Sequence, residues 1–226
     1  MKKAKDICIV VQARLNSQRV PQKMIKPFCG TTLLDILFTK LSRVKSINKT
    51  QIFVSAYEPE VKEIAAKYGL NVFDRSEASA NEETDIKTIF EWHNKLDFKY
   101  IVMVSACNPL LKESTIDRFI EQFIASRKEG AFAVFEKKTY YWDANGNNLT
   151  DWKGLKGMNT KMVDPVLEAA HCLYASRMDI IGEGYWLDKN SPMDLELVTM
   201  EELEAFDIDY QWQFDVAEVL FYNSVV

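Results

Sequence analysis

Ile7-Cys8-Ile9-Val10-Val11-Gln12-Ala13-Arg14-Leu15-Asn16-Ser17-Gln18-Arg19-Val20-Pro21-Gln22-Lys23 is the stretch on which the fold turns. Its first five residues form an unbroken apolar, β-branched run with Cys8 inside it. Such runs suit a strand covered on both faces, as in a parallel sheet. Residues 12–27 then read as a polar loop. Beyond it, Leu33, Leu34, Ile36, Leu37, Leu41 and Val44 recur at spacings of three and four, which predicts a helix from about Thr32. Thr32 followed three residues later by Asp35 resembles a capping box.

The alternation repeats downstream. Strands are expected at 51–56, 70–73, 100–105, 131–135 and 169–175. Helices are expected at 60–68, stopped by Gly69, and at 84–96, 114–127 and 211–222. In the helix at 114–127, Ile116, Phe119, Ile120, Phe123 and Ile124 share the inward face. This βα alternation argues for an α/β fold: a doubly wound, mostly parallel sheet in one domain spanning residues 1–226. The rhythm breaks over about 136–165, where Tyr140, Tyr141, Trp142 and Trp152 stand among glycines and asparagines. That segment reads as an inserted dimerisation arm, because exposed aromatics mark partner surfaces. The competing reading is a loop folded back on its own domain.

Composition excludes several classes. A net charge of -5 argues against nucleic acid as the main partner. Cys8, Cys29, Cys107 and Cys172 are scattered, as are His93 and His171, so zinc spacing is absent. The apolar run at 7–11 is too short for a secretory signal or a membrane span. A cytoplasmic protein without disulfides or membrane contact is expected.

Ligands of doubly wound sheets collect beyond the carboxyl ends of the strands. Three unusual segments are expected along that edge. The first places Arg14, Arg19 and Lys23 in one loop around Asn16 and Ser17. Cations and loop N–H groups together suit a triphosphate. Neither a P-loop nor a Gly-x-Gly-x-x-Gly motif is present. The second is Ser105-Ala106-Cys107-Asn108-Pro109-Leu110-Leu111, in which Cys107 reads as a half-buried small residue and Asn108 equally as a turn former. The third contains Asp207-Ile208-Asp209. On a strand these two carboxylates would face the same side and suit Mg²⁺ completed by phosphate oxygens. Alternatively they are acids gathered at a helix N-terminus, and the first loop is a solvated basic surface.

The pattern Ala13-Arg14, Asn16-Ser17, Arg19, Pro21, Lys23, then Gly30 and Leu33-Leu34, resembles the opening of the CMP-sialic acid synthetases, or acylneuraminate cytidylyltransferases, with their nucleotide-diphospho-sugar transferase fold. Pro109-Leu110 is similar to the pair that follows their nucleotide-facing strand. Asp207-Ile208-Asp209-Tyr210, followed by a helix with Ala217-Glu218, is similar to their C-terminal metal motif. Asn159-Thr160-Lys161 leading to Pro165 and Tyr174 resembles their acceptor-side stretch.

The resemblance implies transfer of CMP from CTP to an acidic, sialic-type sugar with release of pyrophosphate. It implies nucleotide contacts from Gln12, Ala13, Arg14, Asn16, Ser17, Arg19, Lys23, Ser105 and Asn108. Catalytic roles would fall to Arg14, Lys23 and Asp209, Mg²⁺ to Asp207 and Asp209, and the arm would cross to a second subunit in a homodimer. Met24, Ser105, Leu111 and Gln213 depart from the family's usual residues, which keeps a degenerate nucleotide-binding relative open. A metal-dependent glycosyltransferase, which also uses Asp-x-Asp, is the other alternative.

Overall fold

The computed structural model describes residues 2–80, 84–150, 159–186, 190 and 194–225. Seven strands are described: β1 (Ile7–Gln12), β2 (Ile52–Ala56), β3 (Asn71–Asp74), β4 (Tyr100–Val104), β5 (Gly130–Lys137), β6 (Val166–Arg177) and β7 (Leu195–Thr199). They form one sheet in the order β3-β2-β1-β4-β6-β5-β7. Ladders β3-β2, β2-β1, β1-β4 and β5-β7 are parallel, and β6 runs antiparallel to both β4 and β5. The expected mostly parallel α/β sheet is therefore the one observed.

The run at 7–11 behaves as its composition demands. Ile7, Ile9 and Val11 enter one core, under the helices α1 (Leu33–Leu41), α2 (Pro59–Lys67) and α5 (Glu113–Ala125). Cys8 and Val10 enter a second core on the other face with Trp92, Ile101, Met178 and Ile181. All five residues of the run are fully buried. The chain moves outward from β1 to β3, then returns to β4 on the other side of β1. That reversal opens a crevice at the carboxyl ends of β1 and β4.

Thr32 caps α1, its Oγ1 accepting from the Asp35 N–H at 3.1 Å and donating to the Asp35 carboxylate at 2.6 Å. α2 ends as expected at Gly69. The residue adopts φ +60°, and the Gly69 and Leu70 N–H groups close on the Ala66 and Ala65 carbonyls in a Schellman turn.

Three expectations need correction. The helix at 84–96 is broken into α4 (Ile86–Ile89) and a 3-10 turn, Glu91–Asn94. The break falls at Phe90 because tertiary bonds claim its neighbours: the Ile89 carbonyl accepts from Gln12 Nε2 and Ser79 Oγ, and Trp92 Nε1 donates to Gln12 Oε1. Second, β7 had no counterpart in the sequence reading. It is an edge strand whose Leu197 stays about half exposed, so its apolar pattern is weak. Third, Asp207 and Asp209 lie in no strand. They occupy an extended segment between the 3-10 turn Glu202–Ala205 and the last helix, α7 (Gln211–Val225). The shorter helices are α3 (Glu77–Ala80) and α6 (Met178–Gly182). No helix among the described residues is long and apolar enough to cross a membrane.

Of the segment 136–165, residues 151–158, including Trp152, lie outside the described residues. The rest begins as a tight hairpin: Trp142 pairs with Asn148, and the Asp143 carboxylate accepts from the N–H groups of Asn145 and Asn147. Trp142 is half exposed.

Candidate active site

The loop after β1 leaves the sheet with Ala13 still tied to it, its N–H donating to the Ser55 carbonyl at 3.2 Å. Beyond that point the loop walls a cleft of about 420 Å³ at the crevice. Gln12, Arg14, Ser17, Gln18, Arg19, Lys23 and Met24 line it from one side, and Arg75, Ser79, Ile89, Cys107 and Asp209 close it. The three segments expected to share an edge do meet here. The Ile208 N–H donates to the Cys107 carbonyl at 3.0 Å, stitching the third segment to the second. Lys23, 7% exposed, donates from Nζ to the Ile208 carbonyl, stitching the third to the first. Arg19 pairs with Asp209 at 2.7 Å and lies over the Tyr210 ring, 5.1 Å from its centroid.

Helix α7 holds this arrangement from below. Phe28, Ile208 and Phe214 are buried in one cluster with Leu33 of α1, and the Phe28 and Phe214 rings meet edge to face at 5.2 Å. Gln213 Oε1 accepts from the N–H groups of Asp209 and Tyr210, both at 2.8 Å. Gln213 thus reaches back over the first turn of α7 and fixes the backbone of Asp209.

The expected residues fall into groups. Arg14, Ser17, Arg19, Lys23 and Asp209 line the cleft. Gln12 reaches it too, but both ends of its amide are already spent on Ile89 and Trp92. Ala13 is fully buried, and Asn16 is exposed and outside the lining. Ser105 and Asn108 hold backbone: Ser105 Oγ accepts from the Cys107 N–H at 3.1 Å within the turn, and Asn108 Nδ2 donates to the distant Ala205 carbonyl at 3.1 Å. Burial pushes the Cys107 thiol up, against the pull of Lys23, which fits a packed thiol rather than a nucleophile.

Asp207 stands apart from its partner. Burial, then the charge of Asp209, raises its carboxyl above the usual range, with Lys23 opposing. Its Oδ1 is buried without a hydrogen-bond partner among the described residues. A buried carboxylate oxygen left so is costly unless a cation completes it. The donor set, the carboxylates of Asp207 and Asp209 next to a cationic cleft, fits Mg²⁺ that completes its shell with substrate oxygens and water. No group of three metal-binding side chains occurs among the described residues, so an all-protein cage is not built here.

Sequence reasoning missed Arg75 and Ser79. Arg75, 4% exposed, comes from the end of β3 and donates from Nε to Ser79 Oγ at 3.2 Å. A lone arginine after a short strand carries no local motif, so only the fold reveals it. His171 was missed as well. Between Phe132 and Val134 the register of β5 against β6 shifts, and in that bulge His171 adopts φ +51°. Its Nδ1 lies 2.8 Å from the Tyr174 hydroxyl. With Phe90, Met103, Phe132 and Trp186, these two line a second, aromatic cavity of about 420 Å³.

The switch-point cleft thus brings four cations, Arg14, Arg19, Lys23 and Arg75, together with Asp209, and the solved structures agree on the fold. A CMP-2-keto-3-deoxy-manno-octonic acid synthetase complexed with CTP superposes with a TM-score of 0.71 at 12% identity, over 96% of this chain and 99% of that one. The chain belongs to the cytidylyltransferase family, whose profile matches residues 7–180. It is therefore a nucleotidyltransferase, which sets aside the glycosyltransferase alternative. Pseudaminic acid cytidylyltransferase of Campylobacter jejuni is 24% identical over 228 residues, spanning 92% of this chain and 97% of that protein. 3-Deoxy-manno-octulosonate cytidylyltransferase 2 of Hydrogenovibrio crunogenus is 28% identical over 182 residues, spanning 79% of this chain and 68% of that protein.

Proposed function

We propose that this chain transfers CMP from CTP to an acidic sugar of the nonulosonic, sialic type and releases pyrophosphate. The observation that carries the reading is the meeting of Arg19 and Lys23 with the segment Asp207–Asp209, from opposite ends of the chain, in one cleft. Relatives named for pseudaminic acid and 3-deoxy-manno-octulosonate support an acidic acceptor.

In this reading the triphosphate lies along the loop after β1. Arg14 holds the nucleotide, and Lys23 and Arg19 neutralise charge that gathers on the leaving phosphates. The oxygen of the sugar's anomeric hydroxyl forms a bond to the α-phosphorus as the bond from that phosphorus to the bridging oxygen breaks; the hydroxyl proton passes to water, and pyrophosphate departs with the electron pair. Positioning and charge neutralisation supply most of the acceleration in such a displacement. Asp207 and Asp209 would hold Mg²⁺, which supplies charge neutralisation at the phosphate oxygens when bound.

The acceptor occupies the aromatic cavity. Ile89 lines the first cleft and Phe90, the next residue, lines the second. Its walls are apolar, and the polar atoms of His171 and Tyr174 pair with each other at 2.8 Å. Two copies of the chain exchange the arm at 136–165, which accounts for the exposed Trp142 on its hairpin. The need for CTP puts the proposed reaction in the cytoplasm.

A thermal-shift panel of CTP, UTP, ATP and GTP with Mg²⁺ tests the donor, since a ligand of the native state alone raises stability by mass action. CTP should give the largest shift. Pyrophosphate release with sialic, pseudaminic and 3-deoxy-manno-octulosonic acids then tests the acceptor. Absence of release with every acid would defeat the proposal and favour the degenerate, binding-only relative.

A further inference from the structure

Glu58 occupies the N-cap of α2 but does not cap it: its side chain makes no bond to its own helix. A residue at this position ordinarily accepts from the N–H groups of the first helical turn. Instead Glu58 Oε1 accepts from the Leu15 N–H at 2.8 Å, 43 residues earlier in the chain. Its other oxygen, Oε2, is buried without a partner among the described residues. Leu15 itself packs against the larger core. Glu58 lines none of the cleft, although it stands at the carboxyl edge of β2, beside the loop.

A carboxylate beneath an anion-binding loop opposes the anion electrostatically. It must therefore contribute through shape. Ala13 N–H is used by β2 and Leu15 N–H by Glu58. The alternating ties hold the loop's root to the sheet and turn the following residues, Asn16 to Arg19, outward around the cleft. The N-terminal dipole of α2 makes the charge tolerable where it sits.

We infer that Glu58 is a positioning residue for CTP: it clamps Leu15 so that the loop meets the triphosphate in a fixed shape, and it touches neither substrate. This rests on reading residues 12–23 as the triphosphate loop. Because Glu58 is remote from the reacting atoms, its loss should raise KM for CTP and leave kcat at saturating CTP nearly unchanged.

The test compares Glu58→Ala with Glu58→Gln. The alanine variant should raise KM for CTP about tenfold, the size of a lost bond to a charged acceptor. The glutamine variant keeps an acceptor oxygen for Leu15 and removes the charge, so its KM should match or fall below the native value. Equal KM values in both variants, or a fall in kcat without a rise in KM, would overturn the inference. Amide hydrogen exchange at Leu15 in the native protein guards against a variant that fails to fold. Protection should be present before CTP is added. Fast exchange that slows only with CTP would make Leu15 N–H a phosphate ligand and remove the clamp. If native protein binds no CTP at all, the loop reading fails first and the role of Glu58 falls with it.

Discussion

The Arg19 guanidinium and the Asp209 carboxylate meet at 2.7 Å across 190 positions of sequence, joining the loop after β1 to the segment before α7. Both side chains remain partly exposed, 53% and 38%. A pair this exposed is screened by solvent and contributes little to stability. In the proposed reaction this weak pair would open, Arg19 passing to the triphosphate and Asp209 to Mg²⁺.

Substitutions at the two positions should therefore separate. Arg19→Ala should leave the denaturant midpoint nearly unchanged and raise KM for CTP. Asp209→Ala should lower kcat roughly 10²-fold, the cost of removing one electrostatic stabiliser. Steady-state kinetics with denaturant melts on the same samples check this. Near-native turnover of the Asp209 variant in saturating Mg²⁺ would remove Asp209 from the mechanism.

Asp207 should answer differently. Its buried carboxylate has an oxygen without a partner among the described residues and a raised pKa. Asp207→Asn removes the charge at nearly constant volume. The variant should melt higher than the native protein when Mg²⁺ is chelated, since a carboxylate whose charged form is disfavoured by burial and by Asp209 is lost. Adding Mg²⁺ with CTP should stabilise the native protein and have much less effect on the variant. A native protein indifferent to the metal would show that these carboxylates hold none.

The sheet was legible in the sequence because its central strands are fully buried. A run such as residues 7–11, covered on both faces, leaves no ambiguity about its surroundings. The same logic explains what was not legible. β7 lies at an edge with one face open, so its pattern carries little signal. The helix at 84–96 broke because Gln12, 77 residues earlier than Ile89, claims that residue's carbonyl, and no local window contains both. In the cleft, Arg14, Arg19, Lys23 and Asp209 could be read because they cluster in short motifs. Arg75, Glu58 and His171 come singly from the ends or bulges of strands and acquire their place only through the topology.

His171 provides a test of that last kind. Holding a non-glycine residue at φ +51° costs on the order of 1–3 kcal/mol. Glycine adopts the conformation without that cost. His171→Gly should therefore fold at least as stably as the native chain, while KM for the acidic acceptor rises and KM for CTP stays near its native value. Calorimetry and acceptor kinetics decide it. A variant that loses stability and keeps its acceptor KM would make the bulge a packing feature without a role in the site.

Lys40 makes the fold's stability sensitive to pH. Its Nζ donates to the Pro109 carbonyl at 2.5 Å, at the turn that follows β4. Burial, opposed by Glu204 and Glu113, pulls its pKa down from 10.5 to about 8. Between those two values the unfolded chain binds more protons than the folded one at this position, so the contribution of Lys40 to stability rises with pH across that window. At neutral pH the folded protein carries the cost of a partly desolvated ammonium. Lys40→Met keeps much of the apolar stem and removes the charge, at the expense of the bond to Pro109. The stability of the variant minus that of the native protein should therefore be most favourable to the variant near pH 7 and decline steadily towards pH 10. Groups common to both proteins cancel in that difference. Urea melts at several pH values measure it, and a difference that does not move with pH would mean that the Lys40 ammonium is no less hydrated in the fold than in the unfolded chain.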